Sequence, residues 1–250
     1  MTYFEGFIVP VPEANRDAYA RHSSDFAPVL QEKGVRRMVE SWGSDVPEGK
    51  QTDFRKAVDA TPDENIVFSF FEYPSRAARD TANAEMMSDP AMAEMGKDLP
   101  FDAKRMIMGG FRSIVDEGEG GGGFIDGIIV PVPTASQDAY VELASKNARV
   151  FLEYGANRVV ETLGDDVNHG KVTDFFRAVQ AKDGETIAFS FIEWPDKTTR
   201  DQAWQKIMAD NRMQHGGGVF DGSRMVWGGF EVLLDTASRP TIHASAPVTA

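Results

Sequence analysis

The sequence Gly-Phe-Ile-Val-Pro-Val-Pro at residues 6–12 returns almost unchanged as Gly-Ile-Ile-Val-Pro-Val-Pro at residues 127–133. A second stretch, Gly-Lys-Gln-Thr-Asp-Phe at residues 49–54, returns as Gly-Lys-Val-Thr-Asp-Phe at residues 170–175. The two stretches recur at the same spacing, and a repeat of this length is a whole domain rather than a solenoid unit. The chain is therefore predicted to be a tandem duplication.

The repeat divides the 250 residues into four predicted segments. These are a first domain over residues 1–116, a glycine-rich linker over 117–123, a second domain over 124–235 and a disordered tail over 236–250. The linker consists of glycines and acidic residues, which cannot pack into a core, so we expect a flexible tether. The tail is rich in Ala, Ser, Thr and Pro and has nothing with which to build a core.

Each copy alternates strand and helix patterns in the same order. In the first copy, residues 3–10 read as a strand, and residues 13–33 have apolar side chains at helical spacing before Gly34. Residues 35–42, 65–73 and 106–115 read as further strands, with a second helix after Pro74. The order β-α-β-β-α-β is that of a ferredoxin-like repeat.

A four-stranded antiparallel sheet with both helices on one face leaves its other face bare. Residues 66–71, Ile-Val-Phe-Ser-Phe-Phe, are apolar on both sides, which indicates that neither face is exposed to water. The fold class is therefore α+β, with the two repeats forming a dimeric α+β barrel within one chain. The space between the two sheets is the predicted ligand cavity. This pseudo-dimer leaves open whether fused chains associate into a larger homo-oligomer.

Composition excludes several classes of partner and site. A formal net charge of -13, with no cluster of Lys and Arg, would repel nucleic acids and anionic membranes. The absence of cysteine excludes disulfides, thiolate catalysis and Cys-ligated metals. The four histidines are scattered, so neither a metal site nor a cofactor is predicted. With no signal sequence or long apolar run, the protein is expected to be cytoplasmic.

Two glutamates are the candidate catalytic residues. Glu40 alternates with Met38 and Trp42 on one strand face, and its counterpart is Glu161. A carboxylate on an apolar face is partly desolvated, which raises its pKa toward the range of a general base. The alternative interpretation is an edge-strand acid that faces solvent or pairs with an arginine. Glu5 and the equivalent aspartate, Asp126, permit the same two interpretations.

Further polar and aromatic residues are candidates for ligand contacts. His22 follows Tyr19 by one helical turn and could act as a base or as a haem ligand. The matching residue in the other copy is a leucine, which favours a position in the core or on a pocket wall. The two arginines could bind a ligand carboxylate or form an ion pair at the barrel rim, and the hydroxyls could bind a ligand oxygen or a backbone group. The predicted ligand-binding residues are Tyr19, Tyr140, His22, Ser69, Ser190, Arg37, Arg158 and Trp42.

Several short motifs together resemble the YbaA-like family. They are Asp-Val-Pro-Glu-Gly-Lys at residues 45–50, Phe-Ser-Phe-Phe-Glu-Tyr-Pro-Ser-Arg at 68–76 and Pro-Phe-Asp-Ala-Lys-Arg-Met at 100–106. The family is a domain of unknown function in the dimeric α+β barrel superfamily, with one domain per chain. The resemblance implies this fold for both copies. The wider superfamily includes cofactor-independent monooxygenases, lactone isomerases, polyketide cyclases and haem-dependent dehydratases, which suggests a range of reactions but no catalytic residues.

Two functions fit the pattern, and the sequence does not decide whether the protein is an enzyme. In the first, an apolar or aromatic metabolite binds between the sheets and Glu40 or Glu161 moves a proton, as in a cofactor-independent isomerase, cyclase or monooxygenase. This function requires a carboxylate that faces an enclosed cavity. In the second, the protein binds a small molecule without converting it, or is a packed interaction module. Since duplicated copies diverge, one pocket is expected to be better formed than the other.

Overall fold

The computed structural model describes residues 1–213 and 217–237, over which the chain forms eight strands and seven α-helices. The strands are β1 (Tyr3–Pro12), β2 (Arg37–Asp45), β3 (Glu64–Tyr73), β4 (Ile107–Gly118), β5 (Phe124–Pro133), β6 (Arg158–Asp166), β7 (Glu185–Trp194) and β8 (Val226–Asp235). The helices are α1 (Arg16–Glu32), α2 (Phe54–Ala57), α3 (Arg76–Ser88), α4 (Pro90–Met95), α5 (Gln137–Glu153), α6 (Phe175–Ala178) and α7 (Lys197–Ile207). His215, His243 and the predicted tail from residue 238 onward lie outside the described residues.

Local capping fixes the ends of the helices that cover the sheet. The Ser75 side chain accepts a hydrogen bond from the Ala78 amide at the start of α3, and Asp196 does the same for α7. Gly34 has a φ of 98°, which lets the chain turn from α1 into β2 as its position predicts. Gly155 repeats this conformation after α5.

The eight strands form one closed antiparallel barrel with the order β1-β3-β2-β8-β5-β7-β6-β4. Within the first copy the order is β4-β1-β3-β2, and the second copy repeats it. The copies join along two seams, where β2 pairs with β8 and β4 pairs with β6. Closure leaves no free edge among the described strands. The predicted α+β barrel within one chain is therefore confirmed.

The space between the two sheets is filled with phenylalanine side chains. Phe70 and Phe191 stack with ring centroids 4.0 Å apart, and Phe68 stacks on Phe189 at 4.7 Å. All four side chains are fully buried. The prediction of a ligand cavity between the sheets is therefore wrong, because the aromatic side chains of both sheets occupy that space.

The glycine that opens the repeated motif makes this packing possible. A Cβ atom on Gly6 would lie 2.7 Å from the ring of Phe189, and one on Gly127 would lie 2.5 Å from the ring of Phe68. Both distances are shorter than any real contact of a Cβ atom. The motif thus reserves space in each repeat for a phenyl ring of the other repeat.

The segment between the repeats is hydrogen-bonded to the second repeat. The Gly121 amide donates to the Glu193 carboxylate at 2.6 Å, and the Asn157 amide group donates to the Gly121 carbonyl at 2.7 Å. Strand β4 also extends into the predicted linker as far as Gly118. The expectation of a flexible tether is therefore corrected, because polar groups on β7 and beside β6 hold the glycine backbone.

No described helix is both long and apolar enough to cross a membrane.

Candidate active site

Each repeat has a cavity between the outer face of its half of the sheet and its own helices. The first cavity has a volume of about 350 Å³ and contains Tyr19, His22, Glu40 and Ser69 in its wall. The second cavity has a volume of about 620 Å³ and is lined by Tyr140, Leu143 and Glu161 among others. In each repeat the structure thus brings the predicted glutamate together with most of its predicted neighbours. The cavity lies on the face of the sheet that meets the helices, not on the predicted face between the two sheets.

Glu40 is buried in the wall of the first cavity. Its side chain is on β2, and the residue is only 3% exposed. The Tyr19 hydroxyl, from α1, donates to Glu40 Oε2 at 2.6 Å. The Ser69 hydroxyl, from the neighbouring strand β3, donates to Oε1 at 2.8 Å. Each carboxylate oxygen therefore has one hydroxyl partner and keeps a lone pair for a further donor.

Glu161 has the equivalent tyrosine and serine as partners in the second cavity, but both donate to one oxygen. The Tyr140 hydroxyl donates to Glu161 Oε2 at 2.8 Å, and the Ser190 hydroxyl donates to the same oxygen. Glu161 is only partly buried, in keeping with the larger volume around it. Its other carboxylate oxygen has no hydrogen-bond partner among the described residues and is free to meet a ligand.

A β-bulge lies opposite each glutamate. On β8, Leu234 pairs with Glu40 and Val232 pairs with Ser41, so β8 contains one extra residue at this point. The seam between β4 and β6 has the same irregularity beside Glu161. Bulges of this kind bend a strand and redirect a side chain, and they are frequent next to active sites.

Burial of the carboxyl groups determines their proton affinity. Removal from water raises the pKa of Glu40 to about 7, although the hydrogen bonds from Tyr19 and Ser69 act in the opposite direction. Burial likewise raises the pKa of Glu161. No lysine or arginine is among the described residues that line the first cavity. Glu40 is therefore suited to exchange protons near neutral pH, as a general base must.

The walls around the glutamates are mostly apolar. Phe101 packs edge-on against the ring of Tyr19 with centroids 5.7 Å apart, and Phe220 takes the same position against Tyr140. Sequence reasoning missed both phenylalanines and the methionine wall, although Phe101 belongs to a recurring motif before the last strand. The methionines that line the first cavity are Met38, Met86, Met87, Met92, Met95 and Met106.

The second pair of candidate acids is bound to arginines. Asp126 accepts hydrogen bonds from Arg200 Nε at 2.8 Å and from the indole nitrogens of Trp194 and Trp204 at 2.9 and 2.8 Å. In the first repeat, Glu5 lies 3.0 Å from the Arg79 guanidinium. These acids therefore take the alternative role, in which a buried carboxylate is neutralised by an arginine.

Arg37 and Arg158 line neither cavity, which corrects their predicted role in ligand binding. Arg37 donates to Glu193 at 2.6 and 2.8 Å and to Asp235 at 2.8 and 2.9 Å. Arg158 binds Glu72 of the opposite repeat at 3.0 Å. Because both arginines point into the barrel rather than toward the helices, they join the two repeats in buried ion pairs.

Trp42 is also misplaced by the prediction. Its ring is buried in the core under α1, with the Arg16 guanidinium 5.8 Å from its centre, and it does not line either cavity. Asp53 holds the loop after β2 in place, because its carboxylate accepts hydrogen bonds from the amides of Gly49 and Lys56. No group of three or more histidine, aspartate or glutamate side chains in the described part of the chain could hold a metal ion.

Two stretches of the chain, residues 2–103 and 123–222, match the family described as "Protein of unknown function (DUF1428)". The chain belongs to this family. It is also 56% identical over 117 residues to "Uncharacterized protein YbaA" of Escherichia coli strain K12, an alignment that covers 47% of this chain and 100% of that protein. The two matches in one chain confirm the predicted tandem duplication of a YbaA-like domain.

Solved structures with the same fold have little sequence in common with this family member. A "Putative monooxygenase" of Fusobacterium nucleatum has a TM-score of 0.60 and 10% identity, over 94% of this chain and 93% of that one. A "putative monooxygenase" of Lactobacillus acidophilus has a TM-score of 0.56 and 13% identity, over 94% and 95% of the two chains. At such identities the likeness establishes the α+β barrel fold alone.

Proposed function

We propose that this protein binds a small apolar or aromatic molecule in its two outer cavities and removes a proton from it with Glu40 or Glu161. The observation that carries this proposal is a carboxylate in each cavity whose described partners are only hydroxyl groups. A carboxylate kept for structure alone would be expected to have a cationic partner, as Glu5 and Asp126 have.

The charge of the first cavity defines the class of ligand. An anionic ligand would meet the ionised Glu40 with no lysine or arginine in the described wall to compensate. A neutral molecule with a phenolic O–H, or with a C–H next to a carbonyl, instead offers a proton to the carboxylate. The apolar wall then covers the rest of the molecule, as in most small-molecule sites.

The chemical step is a proton transfer. A C–H bond beside the ligand carbonyl breaks, its proton forms an O–H bond on Glu40, and the electron pair remains on the ligand as an enolate. The Tyr19 hydroxyl, no longer needed by a charged carboxylate, can turn to donate to the enolate oxygen. Isomerisation and cyclisation begin with this step. So does monooxygenation where dioxygen then attacks the anion, which accords with the names of the two structural relatives.

We also propose that the chain is organised as two domains of the same fold. Each half of the chain is a ferredoxin-like unit, divided from the other near the glycine-rich segment. Support comes from the strand order β4-β1-β3-β2 and from the element order shared by the two halves. On this organisation each unit contributes one complete cavity, formed by its own strands and helices.

The test uses 2-tetralone, an aromatic ketone with acidic C–H bonds. The protein is incubated with this probe in D₂O, and deuterium at the carbons beside the carbonyl is followed by NMR. We expect exchange that is faster than in buffer, that increases as the pH rises through the range in which the cavity glutamate ionises, and that is lost in the double variant Glu40→Gln, Glu161→Gln. Glu142→Gln is the control, since this glutamate is exposed and pairs with Lys146.

The outcomes separate catalysis from simple binding. Exchange that persists in the double variant would refute the role of the glutamates. Binding of 2-tetralone without exchange would favour the alternative function, a protein that holds a small molecule without converting it. If the probe does not bind at all, the cavities have no role in recognising neutral aromatic ketones, and the proposal fails.

A further inference from the structure

We propose that the two cavities select ligands of different length, because the second polar contact lies at a different helical turn in each of them. This inference rests on the proposed function and extends it to the choice of ligand. In the first cavity the contact is His22, and in the second it is Asn147. We accordingly expect the first cavity to bind a ligand with a single ring and the second cavity to bind a longer ligand with two fused rings.

The helices above the two glutamates differ at two positions. On α1, His22 follows Tyr19 by three residues, and Phe26 occupies the next turn. On α5, the equivalent positions hold Leu143 and Asn147. An α-helix rises about 1.5 Å per residue, so the polar residue lies about 4.5 Å beyond the tyrosine in the first repeat and about 10 Å beyond it in the second.

The His22 imidazole is available to a ligand. Its ring is stacked on Phe26, with centroids 6.2 Å apart, and meets Phe101 edge-on at 6.3 Å. Neither ring nitrogen has a hydrogen-bond partner among the described residues. Burial lowers the pKa of His22, which favours the neutral form with one donor and one acceptor nitrogen. A partly buried polar group without a partner is a natural contact for a bound molecule.

The second cavity offers its polar contact farther from the glutamate. Asn147 lines this cavity, and its amide has two donor hydrogens and two acceptor lone pairs. The amide can therefore bind a ligand group while it keeps its contacts within the protein. Leu143 makes the intervening wall apolar, which suits an additional ring between the two polar ends of a ligand.

The dimensions of the cavities agree with this difference. The second cavity is about 620 Å³ against about 350 Å³ for the first. It extends across the sheet to Trp227 on β8 and reaches the Asp126–Arg200 pair on the outer face. The equivalent of Trp227 is Met108, which is not part of the wall of the first cavity. The larger site therefore has room for a longer molecule.

The experiment compares 4-hydroxyacetophenone with its two-ring analogue, 6-hydroxy-2-acetonaphthone. Calorimetry gives the affinity and stoichiometry of each probe. We expect one molecule of the single-ring probe per chain, bound about three- to tenfold more weakly after His22→Leu but unchanged by Asn147→Phe. We expect one molecule of the two-ring probe per chain as well, bound about three- to tenfold more weakly after Asn147→Phe but unchanged by His22→Leu. Both substitutions introduce the residue of the other repeat, so thermal unfolding should show that the folds are intact.

A double exchange makes the test reciprocal. In the variant with His22→Leu and Phe26→Asn, the first cavity acquires the polar pattern of the second, and the stoichiometry of the two-ring probe should rise from one to two. Equal binding of both probes at both cavities, or equal effects of His22→Leu and Asn147→Phe on both probes, would overturn the inference and leave the proposed function intact. Failure of one probe to bind the unmodified protein would overturn the inference alone, whereas failure of both probes would overturn the proposed function together with this extension.

Discussion

The two cavities have the same glutamate, tyrosine and serine but differ in much of the wall around them. Flexible methionine side chains form much of the first wall, whereas Trp204, Trp227 and Phe151 contribute to the second. Methionine adapts to irregular shapes, and large aromatic rings define a fixed one. The comparison teaches that duplication here kept the proton-accepting group in both halves and changed the surfaces that would choose the ligand.

The carboxylates bound to arginine show how closely such changes can compensate one another. Glu5 accepts hydrogen bonds from Asn83 at 2.9 Å and Tyr73 at 3.4 Å. In the second repeat the acid is one methylene shorter, and both donors are replaced by tryptophans, Trp204 and Trp194. Longer donors thus reach the shorter acid, and the buried ion pair survives in both halves.

The largest expected effect comes from removing the arginine that neutralises this acid. Arg79→Met and Arg200→Met should each lower the free energy of unfolding by about 3–5 kcal/mol, because each leaves a buried carboxylate without its charged partner. The loss should be smaller for Arg200→Met, since Asp126 keeps two short indole hydrogen bonds. Urea unfolding measures both values.

The control for this pair is Arg76→Met, which removes an exposed arginine on the same helix as Arg79. It should cost less than either buried substitution. A greater loss for Arg200→Met than for Arg79→Met would show that the tryptophans do not compensate, and the equivalence of the two ion pairs would be refuted.

The next effect concerns the pH dependence contributed by the two glutamates. Burial raises the pKa of Glu40 to about 7, whereas an unfolded glutamate titrates near 4.5. The contribution of Glu40 to stability is therefore fully present below about pH 4.5 and is lost as the pH rises to about 7. Glu40→Gln removes this titration, so between pH 4 and pH 8.5 the variant should gain about 3 kcal/mol relative to the unmodified protein.

Glu161→Gln sharpens the comparison between the cavities. Burial raises the pKa of Glu161 as well, so the sign is the same. The gain should be smaller, because Glu161 is more accessible to solvent than Glu40. Urea unfolding at the two pH values measures both gains, with Glu142→Gln as the control. A gain that does not depend on pH would contradict the assignment of the titration to these glutamates.

The sequence predicts the glutamates but not the side of the sheet on which they lie. Alternation correctly places Glu40 with Met38 and apart from Arg37. On β3, however, both faces are apolar, with Phe68 and Phe70 turned inward and Phe71 outward. Periodicity therefore cannot tell the face that meets the other sheet from the face that meets the helices. For this reason the sequence pattern leads to a ligand cavity on the wrong face of the sheet.

The same limit applies to contacts that join distant segments. The glycines after β4 carry no side chains, so their attachment to Glu193 depends on a strand that is far away in the sequence. Phe101 enters the first cavity from a loop whose own pattern has no periodicity. In contrast, the ion pair between Asp102 and Arg105 is local, because the two residues are only three positions apart in the sequence.

A moderate effect is expected when the tyrosine hydroxyl is removed from each site. Tyr19→Phe deletes the hydrogen bond to Glu40 Oε2, which favours the ionised form, so the pKa of Glu40 should rise further. The variant should lose about 1–3 kcal/mol of stability at pH 8.5 and less at pH 4. Tyr140→Phe should raise the pKa of Glu161 in the same way. NMR titration of the carboxyl carbons follows both, and a pKa that stays constant or falls would contradict the expectation.

The smallest effect on stability is expected at two exposed methionines. Met87 lies in the last turn of α3, and Met208, the equivalent residue of the second repeat, directly follows α7. They are 90% and 66% exposed, and both line their cavities. Because neither side chain is buried, Met87→Gln and Met208→Gln should change the free energy of unfolding by less than about 0.5 kcal/mol. A ligand that closes the mouth of the cavity would cover these side chains, so each substitution should weaken a probe at its own cavity by about two- to fourfold. Calorimetry with the single-ring and two-ring probes tests this separately for Met87 and Met208. An unchanged affinity in both variants would mean that the ligands stay deep beside the glutamates, and the two cavities would then differ only in their inner walls.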